Sequence, residues 1–482
     1  MTAQSARVPV FTKTAYGVGS VAYGVKNNGF DYFFLLFYSQ VLGVDASLVG
    51  TALLIALVFD AISDPLIGYL SDNTHSRWGR RHPYMYAAAV PISVSYFYIW
   101  NPPESLTGNE LFWYITVLAI AVRTLITLYE VPSSALAAEL SDDYDERTSM
   151  LSYRYFFGWS GGTLLATFAL AFLLVPTETI TNGMFNIEGF GKMGLLASVV
   201  IFTAIMASAL GTHSRIPTLR DPPAKRKITL RRIYRELFET LVNRSFLSLF
   251  LAALFGAIAT GLAAGLSYYF NTYFWEFSNQ QISYLSISVV ISALIGFVIS
   301  PVISRKMGKK TGAIACGIIA FTTAPLPIAL RLLGWMPDNG SPILFPIILA
   351  STVLDVGLII SYQTLMAAMI ADVVEESELK TQRRSEGVFF AAVTFTRKLV
   401  QGFGVMSATV ILSIAQFPKA VLPGDIPEDV LFKLGGLYAP SIFGVWMLMI
   451  ACLSLYRIDR NAHERNLAAL AANRNGRPAS QR

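Results

Sequence analysis

Charge is what this chain has least of. Only 14% of its 482 residues are Asp, Glu, Lys or Arg, while 54% are hydrophobic. A soluble protein of that length would split into domains with charged surfaces throughout. Here the charges cluster between long apolar runs, so the chain reads as an integral membrane protein. Cysteine is nearly absent: Cys316 and Cys452 both fall inside apolar runs, which argues against a disulfide and offers no zinc spacing. There is no phosphate loop ending in Lys-Ser or Lys-Thr, no His-Glu-x-x-His and no Gly-x-Ser-x-Gly. No enzyme activity and no cofactor are therefore expected, and without a nucleotide domain any uphill work draws on an ion gradient. The opening Met1 to Pro9 lacks the apolar core of a cleavable leader, so no signal peptide is expected. His75, His82, His213 and His463 map to the polar ends of the runs and read as surface residues.

What is present is about twelve apolar segments of spanning length, which makes helices, not a barrel, the expected way across the bilayer. The net charge of +6 comes from Lys and Arg gathered in alternate loops, around Arg77–Arg81, Arg147, Arg215–Arg244, Arg305–Lys310, Lys380–Arg384 and the tail from Arg457. The loops between, such as Asn101–Glu110, are almost free of them. That is the positive-inside pattern with an even number of spans, so both termini are expected in the cytoplasm of a multi-pass inner-membrane protein that binds no nucleic acid. One long basic link divides the spans six and six. The expected organisation is a six-helix bundle over 1–212, a linker over 213–244, a second six-helix bundle over 245–457 and a cytoplasmic tail over 458–482. The halves echo one another: Ile67-Gly-Tyr through Arg81 is matched by Ile295-Gly-Phe through Lys310, and Ser133–Arg154 by Thr364–Gly387. Two six-span bundles related by a repeat are the design of rocker-type secondary transporters.

The second apolar segment, Leu48–Leu70, holds two carboxylates, Asp60 and Asp64. At a rise of about 1.5 Å per residue they lie roughly 18 and 12 Å from the polar break at Asp72, near the middle of a ~30 Å hydrocarbon layer. Their i, i+4 spacing puts both on one helix face, and each costs about 2.5–3.5 kcal/mol on insertion scales. A cation, a proton or a fixed Arg from another helix must offset them. Pro65 also leaves the carbonyl of Ala61, one turn back, without its helical donor.

Further polar groups interrupt the apolar runs. Asp31 in span one faces a cavity or pairs with Lys26. Span four carries Arg123, Thr127 and Glu130, the last two on one face; Arg154 in span five can pair with Glu130 or line a cavity with it, offering the acceptor and donor geometry that sugar hydroxyls suit. Arg397 and Lys398 lie mid-span in segment eleven, one of them a counter-charge for the acids or a group for the solute. At the cytoplasmic ends, Asp72 with Arg77, Arg80 and Arg81, Glu139 or Asp142 with Arg147, and Asp372 with Arg384 alternate in sign. As exposed pairs worth about 0–1 kcal/mol each they would suit a reversible gate between bundles, or serve only as topology signals.

Asp60-Ala-Ile-Ser-Asp64-Pro-Leu-Ile-Gly68 followed by Ser76-Arg-Trp-Gly-Arg-Arg81, together with Thr12-Lys-Thr-Ala-Tyr-Gly-Val-Gly, Val131-Pro-Ser-Ser-Ala-Leu, Ala371-Asp-Val-Val-Glu and Arg384-Ser-Glu-Gly, resembles the glycoside–pentoside–hexuronide:cation symporters of the major facilitator superfamily over essentially the whole chain. The resemblance implies an all-α membrane protein of twelve transmembrane helices and a cation-coupled secondary symporter of a sugar, glycoside or related polar solute, functional as a monomer. It implies Asp60, Asp64 and Thr127 as the cation site, with sodium on the two acids if sodium is the coupling ion rather than a proton. It implies Glu130, Arg154 and Lys398 as solute ligands, with Asp31 a candidate beside them. The chain departs from the pattern where the family's span-one sugar-binding Asp gives way to Gly24 and its span-four stacking Trp to Ser134, so galactoside recognition does not carry over. The alternatives are a carrier of a lysolipid or other amphiphile, or an uncoupled lipid scramblase.

Overall fold

The computed structural model describes residues 8–140, 144–178, 180–219, 244–381, 400 and 402–457, and among them every regular element is a helix. The first span, α1 (10–41), is built of short pieces: Val10–Val18, Ser20–Asn28 and Phe34–Leu36, joined and ended by two wide π-type turns at Gly29–Phe33 and Phe37–Val41. It is followed by α2 (Ala46–Asn73), α3 (His82–Trp100), α4 (Gly108–Leu140), α5 (Tyr144–Phe168, continued by Ala169–Leu173) and α6 (Ile187–His213). After the basic link come α7 (Arg244–Tyr269, continued by Phe270–Phe274), α8 (Asn279–Met307), α9 (Lys309–Thr323, extended by Leu326–Leu332), α10 (Leu344–Thr381), the apolar helix α11 (Gly402–Ile414) and α12 (Glu428–Ser454). Nine helices among the described residues are long and apolar enough to cross a membrane.

Two compact units emerge from the contacts. The first comprises 1–226 with 264–287 and 405–428; the second comprises 227–263, 288–404 and 429–482. This division does not follow the sequence halves: two segments from the later half belong to the first unit.

Within the first unit α2 packs on α4, α3 on α4 and α6, and α1 on α5 and α6. Glycine lets α1 and α5 meet backbone to backbone. A methyl group built on Gly24 would overlap the Gly158 carbonyl oxygen, and one on Gly162 would overlap that of Gly24. Gly24 therefore backs onto α5 and has no room for a side chain in that direction. A slab of aromatic rings, including Phe30, Phe34, Phe37, Tyr38, Trp100 and Phe190, fills the space between α1, α3 and α6. The two late segments join at the end of α1: the Tyr269 hydroxyl bonds Ser39, the Tyr273 hydroxyl donates to Gln40 Oε1 at 3.1 Å, Gln40 Nε2 donates to the Pro418 carbonyl at 3.2 Å, and Lys419 pairs with Asp45 at 2.6 Å. In the second unit α9 packs on α10, and Phe321 stacks on Trp446 at 4.7 Å between centroids.

His82 and His213 depart from the surface reading, while His75 is exposed as expected. His82 is fully buried where the start of α3 meets the end of α6, its Nε2 3.0 Å from Thr212 Oγ1. His213 Nδ1 lies 2.9 Å from the Tyr86 hydroxyl, and the two imidazoles are 5.8 Å apart. The neighbouring arginines make His82 look solvated in the sequence, but α6 covers it. His463 lies outside the described residues.

Candidate cation and solute site

The buried stripe of α2 runs through Val49, Ala52, Leu53, Ala56, Leu57, Asp60, Ser63, Ile67 and Ser71, while Val58, Phe59, Ile62, Leu66 and Leu70 are exposed. Steps of three and four are what an amphipathic helix in lipid requires: one face against protein, the other against hydrocarbon. Asp60 lies on the protein-facing stripe and Asp64 at its edge, so neither carboxylate is on the lipid side. The α4 face opposite presents Thr116, Arg123 and Thr127, all buried.

One hydroxyl organises the centre. Thr127 Oγ1 stands 3.0 Å from Asp60 Oδ1, 2.9 Å from Asp64 Oδ1 and 3.0 Å from the carbonyl oxygen of Arg123. A threonine hydroxyl has a single hydrogen to donate, so three acceptors gather around one donor. The two carboxylate oxygens fall within about 6 Å of each other, a range in which like charges repel strongly. A cluster of hard oxygens with more lone pairs than protons is chemically suited to a small cation.

Sequence reasoning places Arg123 in span four but gives it no partner. Its Nη1 lies 3.5 Å from Asp60 Oδ2, at the long end of an ion pair, and its guanidinium lies over the Phe30 ring at 5.2 Å. Nothing in the spacing of α2 and α4 announces this; only the register in which the helices pack does. Sequence reasoning also misses Asp355. It is a carboxylate well inside α10 whose Oδ1 accepts the Val356 backbone N–H at 2.7 Å, near enough to Tyr438 for electrostatic interaction.

The expected solute residues are partly gathered. Arg154 Nη1 donates to Ser133 Oγ at 3.0 Å, and Glu130, Tyr16 and Tyr129 are its electrostatic neighbours. Asp31 is half-buried in the first wide turn of α1, directly after Phe30. Lys398 lies outside the described residues, as does Arg384.

Of the expected gate, Arg80 Nη2 and Arg81 Nε both reach Glu139 Oε1 at 2.8 Å, and Arg81 Nη1 donates to Ser71 Oγ at 2.8 Å. These side chains are 5–10% exposed, so the expectation of weak, exposed pairs fails for them. All belong to the first unit, where they tie the α2–α3 turn to the end of α4. Arg77 is exposed, with its guanidinium over the Trp78 ring. Asp72, Arg147 and Asp372 occupy helical positions in α2, α5 and α10, their side chains outside the description.

Two carboxylates, a hydroxyl and a guanidinium converge on the protein-facing sides of helices long and apolar enough to cross a membrane, which makes this a multi-pass membrane protein with a polar interior. The chain belongs to the MFS/sugar transport protein family, whose model matches residues 15–460. It is similar to a symporter of Synechocystis sp., sll1374, with 36% identity over 204 residues, covering 41% of this chain and 36% of that protein. It is 25% identical over 411 residues to the isoprimeverose transporter of Lactiplantibacillus pentosus, covering 84% and 80%. With the sodium-dependent lysophosphatidylcholine symporter 1 of Mus musculus it shares 23% over 495 residues, covering 97% and 89%. The match to the Synechocystis protein thus spans little over a third of that relative's length. Among solved structures, a bacterial homologue of the human drug peptide transporters PepT1 and PepT2 superposes with a TM-score of 0.59 at 15% identity, covering 96% of this chain and 99% of the other. At that identity the likeness establishes the fold, and the twelve-helix major facilitator reading of the sequence stands.

Proposed function

We propose that the chain is a cation-coupled symporter of a sugar, glycoside or related polar solute, with the cation held by Asp60, Asp64 and Thr127. It lies in the inner membrane with both termini in the cytoplasm, as the distribution of Lys and Arg supports. The observation that carries the reading is the Thr127 hydroxyl with its three surrounding acceptors. When the cation arrives, α2 is neutralised and drawn toward α4, and the solute is held by Glu130 and Arg154, with Lys398 and Asp31 as further candidates. The loaded carrier can then change its accessible side because its interior charges are compensated, whereas the cation-free carrier with solute cannot. Relatives named as an isoprimeverose transporter and as a symporter support this reading over the scramblase.

The test uses vesicles carrying the full chain and a panel of pentoses and glycosides. Wild type is expected to accumulate one of them against a sodium or proton gradient. Asp64→Asn is expected to retain solute counterflow while gradient-driven accumulation falls to equilibrium. Accumulation that survives Asp64→Asn sinks the coupling scheme. The match over 97% of the chain to a lysophosphatidylcholine symporter favours a second reading, an amphiphilic solute; lysophosphatidylcholine belongs in the same panel.

A further inference from the structure

Arg123 is poorly explained as scaffold. A guanidinium carries five N–H donors and remains charged at any pH the protein meets. An arginine that clamps a carboxylate does so with short, paired bonds of about 2.7–2.9 Å. Arg123 instead reaches Asp60 through one contact of 3.5 Å, while its Nε is buried and hydrogen-bonds to nothing among the described residues. Its face is occupied by Phe30. The charge is thus held beside Asp60 without being spent on a tight bond. It also sits one turn before Thr127 on the same face of α4, and its own carbonyl is one of the three acceptors around that hydroxyl.

Building on the cation site proposed above, we propose that Arg123 sets ion selectivity by disfavouring sodium at Asp60 and Asp64. A sodium ion needs several hard oxygens at once, and the charged ones here are Asp60 and Asp64. The guanidinium offsets the charge of Asp60 at its Oδ2, weakening the oxygen it turns toward the site, and it repels a second cation placed there. From α4 the guanidinium of Arg123 reaches Asp60, and Glu130 lies three residues beyond Thr127 on the same helix; α1 contributes the Phe30 ring under the guanidinium and Asp31 directly after it. Removing Arg123 restores a two-carboxylate cage to which sodium can bind.

The experiment measures melting of the purified full chain in detergent at about 100 mM sodium chloride against choline chloride. Wild type is expected to show no sodium-specific shift. Arg123→Gln is expected to gain a rise of about 3 °C or more. Arg123→Lys, which keeps the charge, should remain insensitive, and Asp60→Asn/Arg123→Gln should lose the gain. Should Arg123→Gln prove aggregated on size exclusion, Arg123→Ala and Arg123→Met, which also remove the charge, take its place. A wild-type response equal to that of the uncharged variants overturns the selectivity role, as does an uncharged variant that folds and ignores sodium. If the gained shift instead survives addition of Asp64→Asn, the cation site itself has been misassigned. The two failures are therefore distinguishable.

Discussion

Thr127 supplies the hydrogen-bonding centre of the site and no charge. Thr127→Val keeps its shape and removes the oxygen, so the repulsion between Asp60 and Asp64 loses its mediator. We expect the coupling cation to bind about tenfold more weakly or worse, equivalent to ~1.4 kcal/mol, with the folded fraction unchanged. Concentration dependence of gradient-driven uptake measures this; an unchanged half-saturation for the cation would remove Thr127 from the site. Asp60 and Asp64 were legible from sequence because acids stacked one turn apart in an apolar run are too costly in lipid to stand there without a task. The role of Arg123 was not, because its partner lies 63 residues away and becomes a neighbour only through the packing of α2 on α4. Gly24 shows the complementary case. Its sequence position suggested a solute ligand lost, and the structure shows a backbone seam occupying the place where a ligand side chain would have to grow.

That seam belongs to the scale of whole helices. Gly24→Ala sets a methyl against the Gly158 carbonyl oxygen, and a backbone atom cannot turn aside as a flexible side chain can. We expect α1 and α5 to be forced apart, lowering the melting temperature by several degrees and reducing the monodisperse yield. A variant that melts with wild type would show that the helices can separate without penalty. A second link between elements is Glu139, whose single oxygen serves both Arg80 and Arg81. Glu139→Ala removes the carboxylate that two buried guanidiniums share, and breaking buried pairs of this kind costs about 3–5 kcal/mol. Thermal unfolding in detergent should register it, and a shift below a degree would return these arginines to the role of topology signals. Their alternation in sign was legible from sequence. Their burial was not, since it depends on how the α2–α3 turn folds back onto α4.

At the scale of the whole molecule, the helical fold and its number of spans were readable from hydropathy. The membership of the compact units was not. Segments 264–287 and 405–428 group with the first unit through Tyr269, Tyr273, Pro418 and Lys419, contacts that span hundreds of residues and leave no local signature. If this seam opens during each transport cycle, fixing it stops transport. Asp45 and Lys419 are in contact at 2.6 Å and half-exposed, so a carbodiimide should join them directly as an amide. We expect the joined protein to lose solute turnover while still binding its cation. Turnover at the wild-type rate after verified joining would mean that the seam stays shut throughout.

The dependence of α2 on α4 also has a consequence during synthesis. Asp60 meets Arg123 and Thr127, and Arg80 and Arg81 meet Glu139, only after the ribosome has made the fourth helix. Until then the nascent chain holds acids in the bilayer and uncovered arginines at its edge. The first three helices therefore form no finished intermediate: a chain halted before residue 123 presents the cell with the kind of exposed membrane charge by which quality control can recognise unfinished work.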